Sequence, residues 1–174
     1  MDRRGDGLEN PHTGERLTFV VTAEETQGAW LQVRHVAPRP TVMGVAHVHP
    51  ELTEVFTVER GRLRFTVDGE AHVLNAGDTI TIKPGQVHSF ENVSDGEMVL
   101  RQDVRPAGQH QAMFELIYAL ARAGRMNARG APKGLFAAAL VWETMDGSIA
   151  GIPPLAQRLF FGSVARLARL LGRG

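Results

Sequence analysis

Two stretches decide the fold of this chain: HVHPELTEVFTVERG at residues 47–61 and GDTITIKPGQVHSFEN at residues 77–92. Both are rich in β-branched residues, and both carry glycine and proline, which is typical of strands joined by tight turns. His47 and His49 are two positions apart, so on a strand both side chains point to the same face. His88 follows Pro84-Gly85, a turn dipeptide, and comes from far along the chain.

The four side chains of these stretches that can bind a metal are His47, His49, Glu54 and His88. Three imidazoles and one carboxylate suit a divalent transition metal. If residues 55–58 form a strand that pairs back on the His47 strand, Glu54 returns to the histidine face. A histidine in a strand is more often an ordinary polar residue. The occurrence of all four ligands in two similar segments nevertheless predicts a metal site.

The other histidines lack a comparable setting. We therefore predict that they are surface or pairing residues: His12, His35, His72 and His110.

Outward from these stretches, the first 105 residues indicate β-structure. Asp68-Gly69 is a hairpin signal, and apolar and polar residues alternate in residues 63–67 and 79–82. Strands are predicted at residues 17–22, 30–36, 41–49, 55–58, 63–67, 71–74, 79–82, 89–92 and 98–104. Many short strands at regular spacing predict a sandwich or barrel.

The pattern changes at Arg105-Pro106, where helical spacing begins. Helices are predicted at residues 109–123, 135–145 and 155–171. We expect a β-barrel over residues 1–105 and a helical extension over 106–174, packed on the barrel as a lid or lying at a dimer interface. Four aromatic residues of the extension are candidates to approach the barrel: Phe114, Tyr118, Phe136 and Trp142.

The last predicted helix is amphipathic and basic. Leu159, Val164, Leu167 and Leu171 lie on one side, with Arg158, Arg166, Arg169 and Arg173 among them. Such a helix can bind a membrane surface. A helix of this kind more often packs on its own domain, so we expect packing and no membrane partner.

Composition narrows the class of protein. The chain has 174 residues, no net charge, 43% hydrophobic residues and no cysteine. These values predict one domain with an appendage, and they argue against a nucleic-acid partner, disulfides and a cysteine-type zinc site. Residues 1–6 lack the apolar core of a signal peptide, and no apolar run has transmembrane length. We expect a cytoplasmic bacterial protein, and the arginine-rich, lysine-poor composition suggests a GC-rich genome.

The two stretches resemble the paired motifs of the cupin superfamily. The first motif is matched by His47, His49, Glu54 and Gly61, and the second by Gly77, Asp78, Gly85, His88 and Asn92. Thr41 and Lys83 replace a usual glycine and proline, both at turn or strand-start positions. The helical tail is similar to that of small bacterial single-domain cupins. The resemblance implies a mainly β, jelly-roll barrel with the ion inside, frequent homodimers, and one or two open metal positions.

Neither the residues nor the resemblance selects one reaction. The ligands accept Fe, Mn, Ni, Cu, Co or Zn. A metal-dependent enzyme on a small organic substrate, either a dioxygenase or an isomerase/cyclase, is the leading hypothesis. A non-catalytic protein that binds or senses a small molecule is the alternative. No general base stands out besides Glu54, which favours chemistry done by the metal itself.

Strand alternation also suggests a substrate pocket. Met43 and Val45 share parity with His47, Phe56 with Glu54, and Phe90 with His88. These residues would make the surroundings of the ion apolar, although inward apolar residues can equally be core. Further polar contacts to a substrate are expected from Gln86, Gln102 and Arg34.

Overall fold

The structure is a computed structural model that describes residue 5 and residues 7–43, 45–127 and 130–172. The predictions for Arg173 and for most of residues 1–6 lie outside the described residues. The strands are β1 (Gly7–Glu9), β2 (Arg16–Val21), β3 (Leu31–Ala37), β4 (Thr41–Val42), β5 (His47–Val48), β6 (Thr53–Arg60), β7 (Arg62–Val67), β8 (Glu70–Asn75), β9 (Thr79–Ile82), β10 (His88–Asn92), β11 (Met98–Arg105) and β12 (Ser148–Ile149). The helices are α1 (His110–Arg122), α2 (Leu135–Glu143) and α3 (Pro154–Leu170).

The strands form two antiparallel sheets of jelly-roll type. One sheet has the order β1-β2-β3-β11-β6-β9, and the other has the order β12-β5-β10-β7-β8 with β4 also paired to β10. The mainly β fold with a helical extension is therefore confirmed. Among the residues that the structure describes, the strands of one sheet pair only within that sheet, so the expected closed barrel does not form.

Two details of the predicted strands are wrong. The predicted strand at residues 41–49 is split into β4 and β5, which pair with different parts of β10. The predicted pairing of residues 55–58 with the His47 strand does not form, because β6 pairs with β11 and β9 in the opposite sheet. Glu54 therefore approaches the histidines from across the sandwich.

One core cluster fills the space between the sheets. Phe56 of β6 lies within 5.0 Å of Phe65 of β7, measured between ring centroids, and both side chains are fully buried. Leu100 of β11 and Leu63 of β7 belong to the same cluster. Alternation along each strand thus supplies the inward layer of side chains, as in other sandwiches.

A second core cluster joins α1 to the sheet that contains β3. Phe114 and Tyr118 pack with Phe19, Val33 and Val104. The expectation that aromatic residues of the extension approach the β-structure is confirmed for Phe114 and Tyr118. Trp142 instead stacks on Phe161 of α3 at 5.4 Å, and Phe136 is half-buried in α2.

A buried amide, that of Gln157, joins the remaining elements of the extension. The Gln157 carbonyl oxygen accepts from the Trp142 indole N–H at 3.0 Å and the Ile149 backbone N–H at 2.9 Å, and its amide donates to the carbonyls of Ile149 and Ile152. These bonds tie α2 and α3 to β12. Since β12 pairs with β5, the extension contributes a strand to the sheet that carries His47.

Helix α3 packs on the domain through a different face from the one predicted. Its buried residues are Gln157, Ala165 and Ala168, whereas Leu159 and Leu167 are exposed. Among the residues that the structure describes, no helix combines the length and apolarity needed to cross a bilayer.

Candidate metal centre

The four predicted ligands come from both sheets. His47 on β5 is the direct register partner of His88 on β10, and His49 lies just beyond the end of β5. Glu54 on β6 belongs to the opposite sheet. The jelly roll therefore places three imidazoles on one wall of the sandwich and a carboxylate on the other.

The ligand atoms of these four residues converge. One nitrogen or oxygen from each of His47, His49, Glu54 and His88 lies within 4.8 Å of the others. The Glu54 Oε2 atom is 2.9 Å from His88 Nε2 and 3.5 Å from His49 Nε2. His49, Glu54 and His88 are each no more than 2% exposed, and His47 is half-buried. The structure brings together all four residues that the sequence predicted as ligands.

Backbone carbonyls orient all three imidazole rings in the same way. The Nδ1 atoms of His47, His49 and His88 lie 2.7, 3.2 and 3.2 Å from the carbonyl oxygens of Val45, Asp146 and Gln86. A carbonyl only accepts, so each Nδ1 carries the proton and each Nε2 keeps its lone pair. This is the arrangement by which outer hydrogen bonds prepare histidines for a metal.

The protonation states match that arrangement. Burial lowers the pKa of His47 to about 3, with further lowering by its neighbours His88 and His49, and burial also lowers the pKa of His49. Burial alone would raise the pKa of Glu54, but the close approach of the His88, His110 and His49 rings outweighs it and lowers that pKa to about 2. Neutral imidazole and ionised carboxylate are the forms that bind a metal.

A buried hydrogen-bonded chain fixes the carboxylate. The Gln102 amide donates to Glu54 Oε1 at 2.7 Å, and the Gln102 carbonyl oxygen lies 2.8 Å from His35 Nε2. Burial lowers the pKa of His35 to about 4, so this neutral ring donates its Nε2–H to Gln102. Because Oε1 is held in this way, Oε2 is the oxygen that faces His49 and His88.

His110, the first residue of α1, also lies at this centre. Its Nε2 atom is 3.8 Å from Glu54 Oε1, its Nδ1 atom is 3.7 Å from Asp146 Oδ2, and its ring centroid is 5.0 Å from that of His49. Of the two alternatives predicted for His35 and His110, surface or pairing residues, only the second holds: both are buried beside the ligands, His35 bonded to Gln102 and His110 close to Asp146. His12 and His72 are exposed, as expected.

Asp146 links the extension to the centre. Its backbone carbonyl faces His49, and its carboxylate accepts from the Gln109 backbone N–H at the start of α1. Burial would raise the pKa of Asp146, but bonds from His110 and Gln109 outweigh it and lower that pKa. The next residue, Gly147, passes so close to β5 that a Cβ atom there would lie 2.8 Å from His49 Nδ1 and 2.4 Å from the Val48 oxygen.

The apolar residues predicted to line a substrate pocket lie mainly in the core. Phe56 is fully buried, and its ring centroid is 5.2 Å from that of Phe90. Met43 and Phe90 pack against the same core cluster. The Val45 side chain is 55% exposed, so its contribution to the centre is its carbonyl oxygen. These positions agree better with the alternative reading that inward apolar residues form core.

The three predicted polar contacts have different positions. Gln102 is buried against Glu54, as described above. The Gln86 side chain bonds to Lys83 and Asp68, away from the ligands, although its carbonyl orients His88. Arg34 points outward and pairs with Glu59 at 2.7 Å, since it has the opposite parity to His35 on β3.

The residues present fit a metal ion. His49 Nε2, Glu54 Oε2 and His88 Nε2 are buried without a hydrogen-bond partner among the described residues. Lone pairs and a carboxylate oxygen at these distances repel one another unless a cation lies between them. Buried polar atoms normally have partners, so their convergence supports a bound cation.

A surface cleft of about 820 Å³ lies outside the centre. Gln109, Asp146 and Gly147 form one side of the cleft, and Trp142 and Arg158 contribute to the rest. Because Asp146 and Gly147 also contact His110 and His49, this segment separates the cleft from the ligands.

Comparison with known proteins gives a match to a family model over part of the chain and a similarity in fold. The family model described as "Cupin domain" matches residues 33–105. No curated protein matches the chain.

Several solved structures are similar to this chain at low sequence identity, one of them with a TM-score above 0.5. A predicted oxalate decarboxylase from Thermotoga maritima has 19% identity and a TM-score of 0.52, covering 61% of this chain and 99% of that one. KdgF from a Halomonas species has 17% identity and a TM-score of 0.49, covering 58% and 86%. A cupin sugar phosphate isomerase from Silicibacter pomeroyi has 18% identity and a TM-score of 0.47, covering 53% and 59%. These similarities concern the fold.

Proposed function

We propose, from the match of residues 33–105 to the cupin domain model, that the chain is a metal-dependent enzyme acting on a small organic substrate. The proposal includes two reaction classes, a dioxygenase and an isomerase or cyclase. A non-catalytic protein that binds or senses a small molecule is the alternative.

The observation that carries the proposal is the convergence of unpaired buried atoms from two sheets. His47, His49, Glu54 and His88 would hold one divalent transition metal. A bound metal of this kind supplies a Lewis acid and, for a redox-active ion, a site for O2 chemistry. The fold aligns these donors before a ligand arrives, because the rings are held by carbonyls and the carboxylate by Gln102.

His110 adds a proton-transfer group that the sequence pattern did not reveal. Its Nε2 atom faces Glu54, and its Nδ1 atom faces the Asp146 carboxylate. An imidazole oriented by a carboxylate is a common general acid or base. The His110–Asp146 pair supports isomerase or cyclase chemistry, in which a proton moves between carbon atoms, and the oxygenase class stays as the other candidate.

The enclosure of the centre favours chemistry that must exclude water. The residues that cover it come from the extension, where β12 pairs with β5 and Asp146 contacts His110. Access from the neighbouring cleft therefore requires movement of the segment around Asp146 and Gly147. The same enclosure suits the non-catalytic alternative, in which a small ligand is trapped and released.

Metal content of untagged protein tests the centre. We expect about one Fe, Mn, Ni, Cu, Co or Zn per chain by elemental analysis, and loss of that metal in His49→Ala and His88→Ala. Matched controls are His12→Ala and His72→Ala, because both histidines are exposed. Wild-type protein that stays metal-free after reconstitution would overturn the metal proposal.

Turnover assays then separate the functional classes. A redox-active metal directs the search to O2 uptake with chelating organic substrates, and zinc directs it to isomerase or cyclase substrates. His110→Asn should keep the metal and lose turnover if proton transfer is required. Metal and ligand binding without turnover across substrate panels would favour the sensor.

A further inference from the structure

The outward face of α3 is apolar. Six large hydrophobic residues of the helix and its last turn are between 48% and 84% exposed: Leu155, Leu159, Phe160, Leu167, Leu170 and Leu171. Most are separated by three, four, seven or eleven positions, which places them on one side of a helix. Because the helix attaches to α2 and β12 through Gln157, Ala165 and Ala168, these side chains are not needed for packing within the chain.

The charged side chains of this segment are all positive. From Gly147 to Gly174 the sequence has four arginines and no aspartate or glutamate. Arg169 pairs with Glu143 of α2 at 2.6 Å. Arg158 and Arg166 are exposed, and within the part of the chain that the structure describes no ion pair involves them. Arg166 follows Leu159 by seven positions and so lies on the apolar side itself, whereas Arg158 lies at its edge, where Glu143 and Asp146 line the same cleft.

The combination of exposed apolar residues and unpaired arginines favours an anionic lipid surface over a second copy of the chain as the partner of α3. A second copy of the chain docked face to face through α3 would bring two arginine-bearing helices together without acidic residues between them. An anionic lipid surface offers acyl chains to the leucines and phosphates to the arginines. A large apolar face combined with arginines is typical of helices that lie in the plane of a membrane surface.

We propose that α3 is a peripheral membrane anchor that binds anionic lipid. The helix has 17 residues and is about 25 Å long at ~1.5 Å per residue, so it lies along the surface. Its apolar face enters the boundary between headgroups and acyl chains. Arg158 and Arg166 remain at headgroup level and contact phosphates.

Membrane binding through α3 would also place the metal centre close to the lipid surface. Arg158, Arg166 and Leu159 also line the cleft outside the centre. Binding through α3 would hold the mouth of that cleft against the headgroup region. The anchor itself does not depend on any proposed reaction, and its test uses no turnover.

Co-sedimentation of the full chain with vesicles tests the anchor. We expect binding to mixed phosphatidylglycerol/phosphatidylcholine vesicles, weakening as salt is raised, and much weaker binding to pure phosphatidylcholine. The double variant Phe160→Ser/Leu170→Ser should lose most of the binding, at least tenfold. The matched control is Val73→Ser on β8, where the side chain is 54% exposed, and it should bind like wild type.

The arginine variant separates charge from apolar burial. Arg158→Gln/Arg166→Gln should reduce binding to the anionic vesicles by about 25-fold, since each of the two arginines near such a surface is worth roughly five-fold. It should leave binding to neutral vesicles unchanged. All these residues are exposed, so circular dichroism should show folded variants.

Three outcomes would overturn the proposal. The first is wild-type protein that remains in the supernatant with anionic vesicles at low salt. The second is binding that persists in Phe160→Ser/Leu170→Ser. The third is a dimer in sedimentation velocity that these two substitutions dissociate, with no lipid binding, in which case the face is an interface between copies of this chain.

Discussion

Replacement of Gln102 by leucine tests whether the buried hydrogen-bonded chain prepares Glu54 for a metal. The change removes the 2.7 Å bond to Glu54 Oε1 and the 2.8 Å bond from His35. Each buried group left without a partner costs about 1–3 kcal/mol, so the free energy of unfolding should fall by roughly 2–6 kcal/mol. Loss of a hydrogen bond that orients a ligand should also weaken metal affinity by about 10- to 100-fold.

Two measurements separate these effects. Competition with a chelator gives the metal affinity, and urea unfolding of the metal-free protein gives the stability. Gln32→Leu is the control, because Gln32 bonds to Asp103 on the same sheet and does not touch the ligands. This control should keep its metal affinity.

The double variant His35→Leu/Gln102→Leu sharpens the test. It removes the unpaired His35 N–H and should recover about 1–3 kcal/mol of stability. The metal affinity should stay low, because Glu54 Oε1 still lacks its donor. Wild-type affinity in Gln102→Leu would refute the reasoning, since Glu54 would then be oriented without this chain.

Three further predictions follow from buried groups and close approaches. The pKa of His35 is lowered to about 4, below its unfolded value of about 6.5, so metal-free protein should lose stability as pH falls from about 6.5 to about 4. His35→Leu should flatten that slope by up to ~1.4 kcal/mol per pH unit in urea unfolding. Gly147→Ala should reduce both thermal stability and metal affinity, because the added Cβ atom would collide with β5. Its control, Gly162→Ala, has open space around it and should stabilise α3 by about 0.5–1 kcal/mol. Equal melting temperatures for the two variants would contradict the predicted collision at Gly147. Gln157→Leu should lower the free energy of unfolding much more than Arg169→Gln, which removes only a solvent-exposed ion pair. Similar losses in the two variants would argue against Gln157 as the residue that ties the extension together.

The ligands could be identified from the sequence because each lies in a short segment with its own strand or turn signal. His47 and His49 alternate on a strand, and the turn residues around His88 give its position in a second strand. The route by which Glu54 reaches them was not predictable from spacing, since it depends on which sheet β6 joins. Strand pairing between distant segments is decided by tertiary packing and carries no short-range signal.

The burial of His35 and the burial of His110 beside the ligands differ in how far the sequence could predict them. His35 has the same parity as Leu31 and Val33 on β3, all of them buried, so alternation did carry a signal for its burial. His110 had no such signal, because its partner Asp146 lies 36 positions later and the two meet only when α1 and the α2–β12 segment dock. The position of the exposed leucines on α3 likewise depends on which face the small residues and Gln157 occupy.

The pairing of β12 with β5 has a consequence for synthesis of the chain. Until residues 148–149 leave the ribosome, β5 has an unpaired edge beside the histidines. Unpaired edges are templates for joining other chains. A nascent or prematurely terminated chain that ends before β12 would therefore expose a sheet edge with unpaired backbone groups. We expect such fragments to aggregate or to require chaperones.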